Sequence, residues 1–245
     1  MTMISKKHIV VAGSTGEVGK HLVRLASAKQ DLVVHALVRR EGFWREISTV
    51  HEIAFDYEDL STYDALFHDV PCDALFIALG TTTGKAGTAG LTRVDRDYPL
   101  FLIGALEKAR PGASIGFCSS VGSDRPRGNY LEAKFAVEQR LQASSLPTAI
   151  ARPSVLISDR KDFRPAEVFT LPLLKIASGI LKLFMPSSDF AWKYDPVRVD
   201  AVAACLLDST LKLDAHQHLV FEGRSLFAAP TVQFENAPCP PRSGV

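Results

Sequence analysis

The sequence has no excess of charge of either sign: Lys and Arg total 28 and Asp and Glu 27, a formal net charge of +1. A nucleic-acid-binding surface leaves a strongly basic footprint, so no nucleic-acid partner is expected. Cysteine is sparse. The four present, Cys72, Cys118, Cys205 and Cys239, stand far apart, with no C-x-x-C pair and no histidine at metal-ligand spacing. This pattern excludes a disulfide framework and a zinc site, predicts no bound metal, and puts the thiols in a reducing, cytoplasmic compartment. No apolar run reaches the roughly 18 residues of a membrane span, and residues 1–7 are too few and too polar for a secretory signal. What the chain does have is apolar content: 47% of its 245 residues, enough for the full core of one α/β domain.

The stretch His8-Ile9-Val10-Val11-Ala12-Gly13-Ser14-Thr15-Gly16-Glu17-Val18-Gly19-Lys20-His21-Leu22-Val23 organises the rest. An apolar run breaks into three glycines, and an amphipathic pattern begins directly behind them. That order predicts a buried strand, a tight turn and the start of a helix, the geometry that binds a dinucleotide pyrophosphate. Gly13 lets the chain turn off the strand, Gly16 lets backbone approach the phosphates, and Gly19 lets the helix pack close. Alone, a G-x-x-G-x-x-G triplet also fits an ordinary turn. Its place between strand and helix favours the cofactor, with Ser14, Thr15, Glu17 and Val18 completing the contact segment.

Leu32–Val38 reads as a second strand, closing on Arg39-Arg40. An acid at that point accepts from the ribose 2′-OH of NAD, whereas a guanidinium matches a 2′-phosphate, so two arginines favour NADP(H). Basic residues also close strands because loops are solvated. Residues 51–55 suit a third strand, and Asp56 behind it is placed to touch the adenine amino group or to cap a helix. Residues 73–79 form a fourth, buried strand ending in the small-residue loop 80–84, at the carboxyl end of the strand, where ligands sit in doubly wound sheets. A helix is predicted over 91–109, with Pro99 marking a kink or break. Ser114–Cys118 is a fifth strand running into Ser119-Ser120, 130–142 a helix, and 148–151 a sixth strand. Six alternations call for a doubly wound parallel α/β sheet, the Rossmann fold.

Beyond Arg152-Pro153 the alternation fades. Residues 163–190 are apolar and cut by Pro165, Pro172 and Pro186, which points to a substrate-side cap or an oligomer surface. A membrane-lying helix over 173–183 has only two lysines to support it. A helix over 197–207 and a late strand over 219–221 follow. The organisation expected is one NAD(P)-binding domain over 1–237, with 154–194 as a small C-terminal substrate-side cap and 238–245 as a mobile tail.

Tyr130 and Lys134 lie four apart on the predicted helix, hence on one face. A phenol titrates near pH 10 and is a poor acid or base at neutral pH; a neighbouring cation favours its phenolate form. The pair can therefore protonate a carbonyl oxygen during reduction, with Ser119 or Ser120 holding that oxygen. Y-x-x-x-K by itself is common on protein surfaces. The order glycine turn, strand-Ser-Ser, Tyr-x-x-x-Lys is much rarer, and with it residues 7–210 resemble an atypical short-chain dehydrogenase/reductase. The string Leu79-Gly80-Thr81-Thr82-Thr83-Gly84-Lys85-Ala86-Gly87-Thr88-Ala89-Gly90-Leu91-Thr92-Arg93-Val94-Asp95-Arg96-Asp97-Tyr98 is similar to the signature of the Tat-interacting-protein-like oxidoreductase branch.

The resemblance implies an NADPH-binding domain. Tyr130 would be proton donor or acceptor, Lys134 would hold the nicotinamide ribose and tune Tyr130, and Ser120, in preference to Ser119, would hold the substrate oxygen. It extends the cofactor contacts to Leu79, Gly80, Thr81, Tyr130, Lys134, Arg152 and Pro153. Two departures stand out: Ser120 and Tyr130 are closer in sequence than is usual in the superfamily, and Asp95 occupies the place where many relatives carry asparagine. Three functions follow. One is NADP-dependent reduction of a small carbonyl compound or its reversal; another is an NADPH sensor acting through a partner protein; the third is a sugar-nucleotide epimerase or dehydratase, which usually needs a larger substrate domain.

Overall fold

The computed structural model describes residues 6–157 and 192–227. The sheet has seven strands: β1 Lys7–Ala12, β2 Leu32–Val38, β3 Val50–Ala54, β4 Ala74–Ile77, β5 Ser114–Cys118, β6 Thr148–Arg152 and β9 His218–Glu222. Their order is β3-β2-β1-β4-β5-β6-β9, every pair parallel. The order reverses between β1 and β4, and in a doubly wound sheet the crevice at that reversal is where a ligand binds. A short parallel pair, β7 Leu156–Ile157 and β8 Val197–Arg198, stands apart from the main sheet. The doubly wound expectation holds, and the late strand is part of it: β9 extends the sheet beside β6.

Both faces are covered. Ile9 and Val11 of β1 face α1 (Glu17–Ser27) and α6 (Val199–Thr210), while Val10 and Ala12 face α2 (Ser61–Asp69), α4 (Tyr98–Ala109) and α5 (Asn129–Gln142). Strands buried on both faces read as continuous apolar runs, which is why β1, β2, β4 and β5 were legible from sequence. Three elements differ from expectation. Helix α2 is only nine residues long and buries Tyr63, Leu66 and Phe67, too short a period to declare itself. The segment predicted as a helix from 197 begins as β8 and turns helical at Val199.

The predicted 91–109 helix is not continuous: it takes in the end of α3 (Thr83–Thr92, itself kinked at Gly87 with φ 66°), a π-helical turn Arg93–Asp97, and α4. Pro99 explains the break. It has no N–H to give, and its ring would clash with the carbonyl of Asp95 in a regular α-helix. The wider π turn, closed by Tyr98 N–H donating to the Arg93 carbonyl, accommodates the ring and leaves Asp95 fully buried. Residues 158–191 of the expected cap, including the 173–183 segment, and the 238–245 tail lie outside the described residues. Among the described residues no helix is long and apolar enough to cross a membrane.

Candidate functional site

The turn after β1 is built as its glycines required. Gly13 has φ 79°, and a Cβ there would lie 2.6 Å from the carbonyl oxygen of Ala78, which follows β4. At Gly19 a Cβ would lie 2.0 Å from the Gly13 carbonyl oxygen; only glycine lets α1 sit so close on the turn. Gly16 N–H donates to the Gly13 carbonyl at 2.9 Å and α1 starts at Glu17. The other turn residues divide. Ser14 is buried, its hydroxyl donating to the Leu37 carbonyl at 2.6 Å, and Val18 is in the core; Thr15 is exposed and Glu17 half-buried. Ser14 thus ties the turn to β2 with its side chain, leaving only its backbone to face a phosphate.

Arg39 and Arg40 are both exposed behind β2. Arg39 lines a cleft of about 670 Å³ together with Asp56, Tyr57, Glu58, Arg93 and Tyr98. Asp56 Oδ1 accepts the Glu58 N–H at 2.9 Å, a local turn that leaves the residue on the cleft wall. Glu58 was not anticipated. It accepts the Tyr98 hydroxyl at 2.5 Å and Arg93 Nη1 at 3.1 Å, and these bonds hold its carboxyl below the usual carboxylate range. A turn that only glycine can form and a cleft with an exposed guanidinium on its wall fit a dinucleotide phosphate ligand.

At the carboxyl ends of β4 and β5 lies the Lys134 ammonium, with 3% of its side chain exposed. It donates to the Leu79 carbonyl at 3.1 Å and the Cys118 carbonyl at 3.3 Å, and pairs with Asp95 Oδ1 at 3.0 Å. Asp95 Oδ2 accepts the Thr81 N–H at 2.9 Å, fixing the loop after β4. Burial pulls the Lys134 pKa down, but Tyr130, Asp95 and Cys118 outweigh it and the net direction is upward. The ammonium lies 5.8 Å from the Tyr130 ring centroid and 5.2 Å from that of Phe117. Tyr130 itself is 38% exposed, at the mouth. One turn of α5 thus carries a fixed buried cation at its base and a reachable phenol at its top.

The two serines part company. Ser119 is buried and its hydroxyl donates to Glu138 Oε1, which also takes the Ser123 hydroxyl at 2.6 Å. Ser120 is half-buried, and among the described residues its hydroxyl makes one contact, 3.5 Å from the Val121 carbonyl. Glu138 is in turn clamped by Arg152, with Nε 3.1 Å from Oε1 and Nη2 2.5 Å from Oε2. The Arg152 side chain is therefore spent tying β6 to α5. Pro153 offers its carbonyl to the Val121 N–H at 2.9 Å. Sequence spacing pointed to Tyr130 and Lys134 but not to Glu138, Ser123, Glu58 or Tyr57. The only available hint was a carboxylate on the inner face of an otherwise apolar helix position.

A family model described as NAD(P)H-binding matches residues 13–168. The chain is 32% identical over 173 residues to Protein HTATIP2 of Rattus norvegicus, covering 67% of this chain and 69% of that protein. To the ceramide reductase of Caulobacter vibrioides it is 30% identical over 206 residues, covering 81% of this chain and 59% of that one. The Bordetella bronchiseptica enzyme WbmH in complex with NAD+ shares the fold with a TM-score of 0.66 at 15% identity, over 89% of this chain and 76% of that chain. The family match runs from the glycine turn past the sixth strand, and on it the protein belongs to the NAD(P)H-binding family of Rossmann-type domains.

Proposed function

We propose that the protein is an NADPH-dependent carbonyl reductase of the short-chain type, working on a small-molecule carbonyl compound or the corresponding alcohol. The observation that carries this reading is the buried Lys134 ammonium, held by two carbonyls and Asp95 beneath an accessible Tyr130. A cation at that depth carries a desolvation cost, which the fold offsets with three fixed acceptors. The nicotinamide, when bound, supplies or accepts the hydride. Tyr130 gives its proton to the substrate oxygen, and the fixed charge of Lys134 stabilises the negative charge left behind. Ser120, whose hydroxyl is not drawn into the Glu138 cluster, donates to the same oxygen. Arg39 and Arg40 select NADPH by meeting a 2′-phosphate. The ceramide reductase relative supports a reductase over an epimerase, and the three free buried thiols Cys72, Cys118 and Cys205 support a reducing, cytoplasmic location.

The test is a side-by-side titration with NADPH and NADH, followed by a carbonyl substrate panel. Tighter NADPH binding that Arg39→Ala and Arg40→Ala weaken is expected. Tyr130→Phe should keep NADPH affinity and lose turnover by about 10²-fold or more, the usual weight of a positioned proton donor. Turnover retained in Tyr130→Phe refutes the assigned role; NADPH binding without any turnover, coupled to capture of a protein partner, would make the protein a sensor.

A further inference from the structure

Glu52 lies on the edge strand β3, opposite Ala36 of β2 in the parallel register. Alternation along the strand turns it to the face of Val50, which packs on the core cluster that holds Trp44. A carboxylate at this half-buried place needs donors. It has them in the loop that leaves β2: Oε2 accepts the Gly42 N–H and Oε1 the Trp44 N–H, each at 2.5 Å. Gly42 takes φ 98°, the left-handed region that favours glycine. Trp44 is 3% exposed, and the Lys20 ammonium of α1 stands 5.3 Å from the Phe43 ring centroid. The loop is thus fastened to the sheet, the core and the first helix together.

On the near side of the same loop the Val38 carbonyl accepts the Phe55 N–H at 2.9 Å. Arg39, Arg40 and Glu41 are therefore strung between Val38 and Gly42, both of them held from the β3 side. The two arginine side chains are exposed, and Arg39 lines the cleft. With the side chains in solvent, the backbone sets where they leave the loop. We propose that Glu52 is a positioning residue for cofactor selection: by fastening Gly42 and Trp44, its carboxylate fixes the backbone that presents Arg39 and Arg40 to a 2′-phosphate. This rests on the NADPH reading of the site. Glu52 acts through the arginines alone, because both its oxygens are occupied by loop N–H groups and its negative charge repels a phosphate.

Titration with NADPH and NADH tests this. Glu52→Ala frees the loop and should weaken NADPH by about tenfold, the order of one hydrogen bond between charged groups, with NADH affinity held within about twofold. Glu52→Gln keeps the shape but offers one acceptor to the two N–H groups; it should fall between, and it decides the matter alone if Glu52→Ala does not fold. In a protein already carrying Arg39→Ala and Arg40→Ala, Glu52→Ala should weaken NADPH no further, because residues that act through one another are not additive. Equal losses for NADPH and NADH overturn the assignment, since a clamp that only supports the fold does not tell them apart. Unchanged NADPH affinity in the Glu52 variants overturns it too, as does a full further loss when the arginines are gone. The reading beneath it is separable: if the wild-type protein binds neither nucleotide, or removal of both arginines leaves the preference for NADPH intact, NADPH selection by the arginines fails and the Glu52 assignment with it.

Discussion

Replacing Asp95 by alanine takes from a buried ammonium the carboxylate 3.0 Å away. Removing one partner of a buried pair costs about 3–5 kcal/mol, because the remaining charge stays desolvated. Here Lys134 keeps the Leu79 and Cys118 carbonyls, and water can enter the space left by the carboxylate, which places the cost near the lower end, about 3 kcal/mol. For a chain of this size about 2–4 °C of melting temperature goes with each kcal/mol, so Asp95→Ala should melt about 6–12 °C lower. Asp95→Asn keeps the shape and one oxygen for the Thr81 N–H or the ammonium, and should fall between. The Lys134 pKa is raised in the fold above the ordinary 10.5, so the stabilisation is complete below that pH and is lost only as pH rises through the raised value. Melting by circular dichroism at pH 7 therefore reads the whole effect. A drop under about 2 °C in Asp95→Ala would mean that Lys134 is solvated and that the buried-cation account of the site is wrong.

Gly19→Ala forces a Cβ to 2.0 Å from the Gly13 carbonyl; α1 must lift off the turn, at about 1–3 kcal/mol of stability and with weaker binding of both nucleotides, and equal affinity and melting temperature in this variant would refute the close-packing role. His35 stacks between His8 and His51 at 5.4 Å on either side, and burial first, then those two rings, depress its pKa to about 4 from 6.5. The unfolded chain takes up the proton first, so stability should fall as pH drops from 6.5 through about 4. His35→Phe should flatten that part of a pH–melting profile, and an unchanged slope would show that the ring does not stay neutral in the fold.

Much of the architecture is local chemistry and was legible in the residues themselves. A strand buried on both faces reads as an unbroken apolar run, and a turn that needs a positive φ beside a close-packed helix reads as Gly13 and Gly19 at fixed spacing. Two side chains four apart on a helix must share a face, so Tyr130 and Lys134 were paired by periodicity alone. The partners that decide what those groups can do come from distant segments, where no period connects them. Asp95 reaches Lys134 because Pro99 widens the preceding turn. Glu138 consumes the hydroxyl of Ser119 and the guanidinium of Arg152, and leaves the Ser120 hydroxyl outside that cluster. The sequence by itself determined the layered sheet and the shared helix face of Tyr130 and Lys134, since both follow from backbone geometry over a few residues. Tertiary structure decided which polar groups are spent holding the fold and which remain free for chemistry, because hydrogen bonds and ion pairs are settled by what lies within about 3 Å in space.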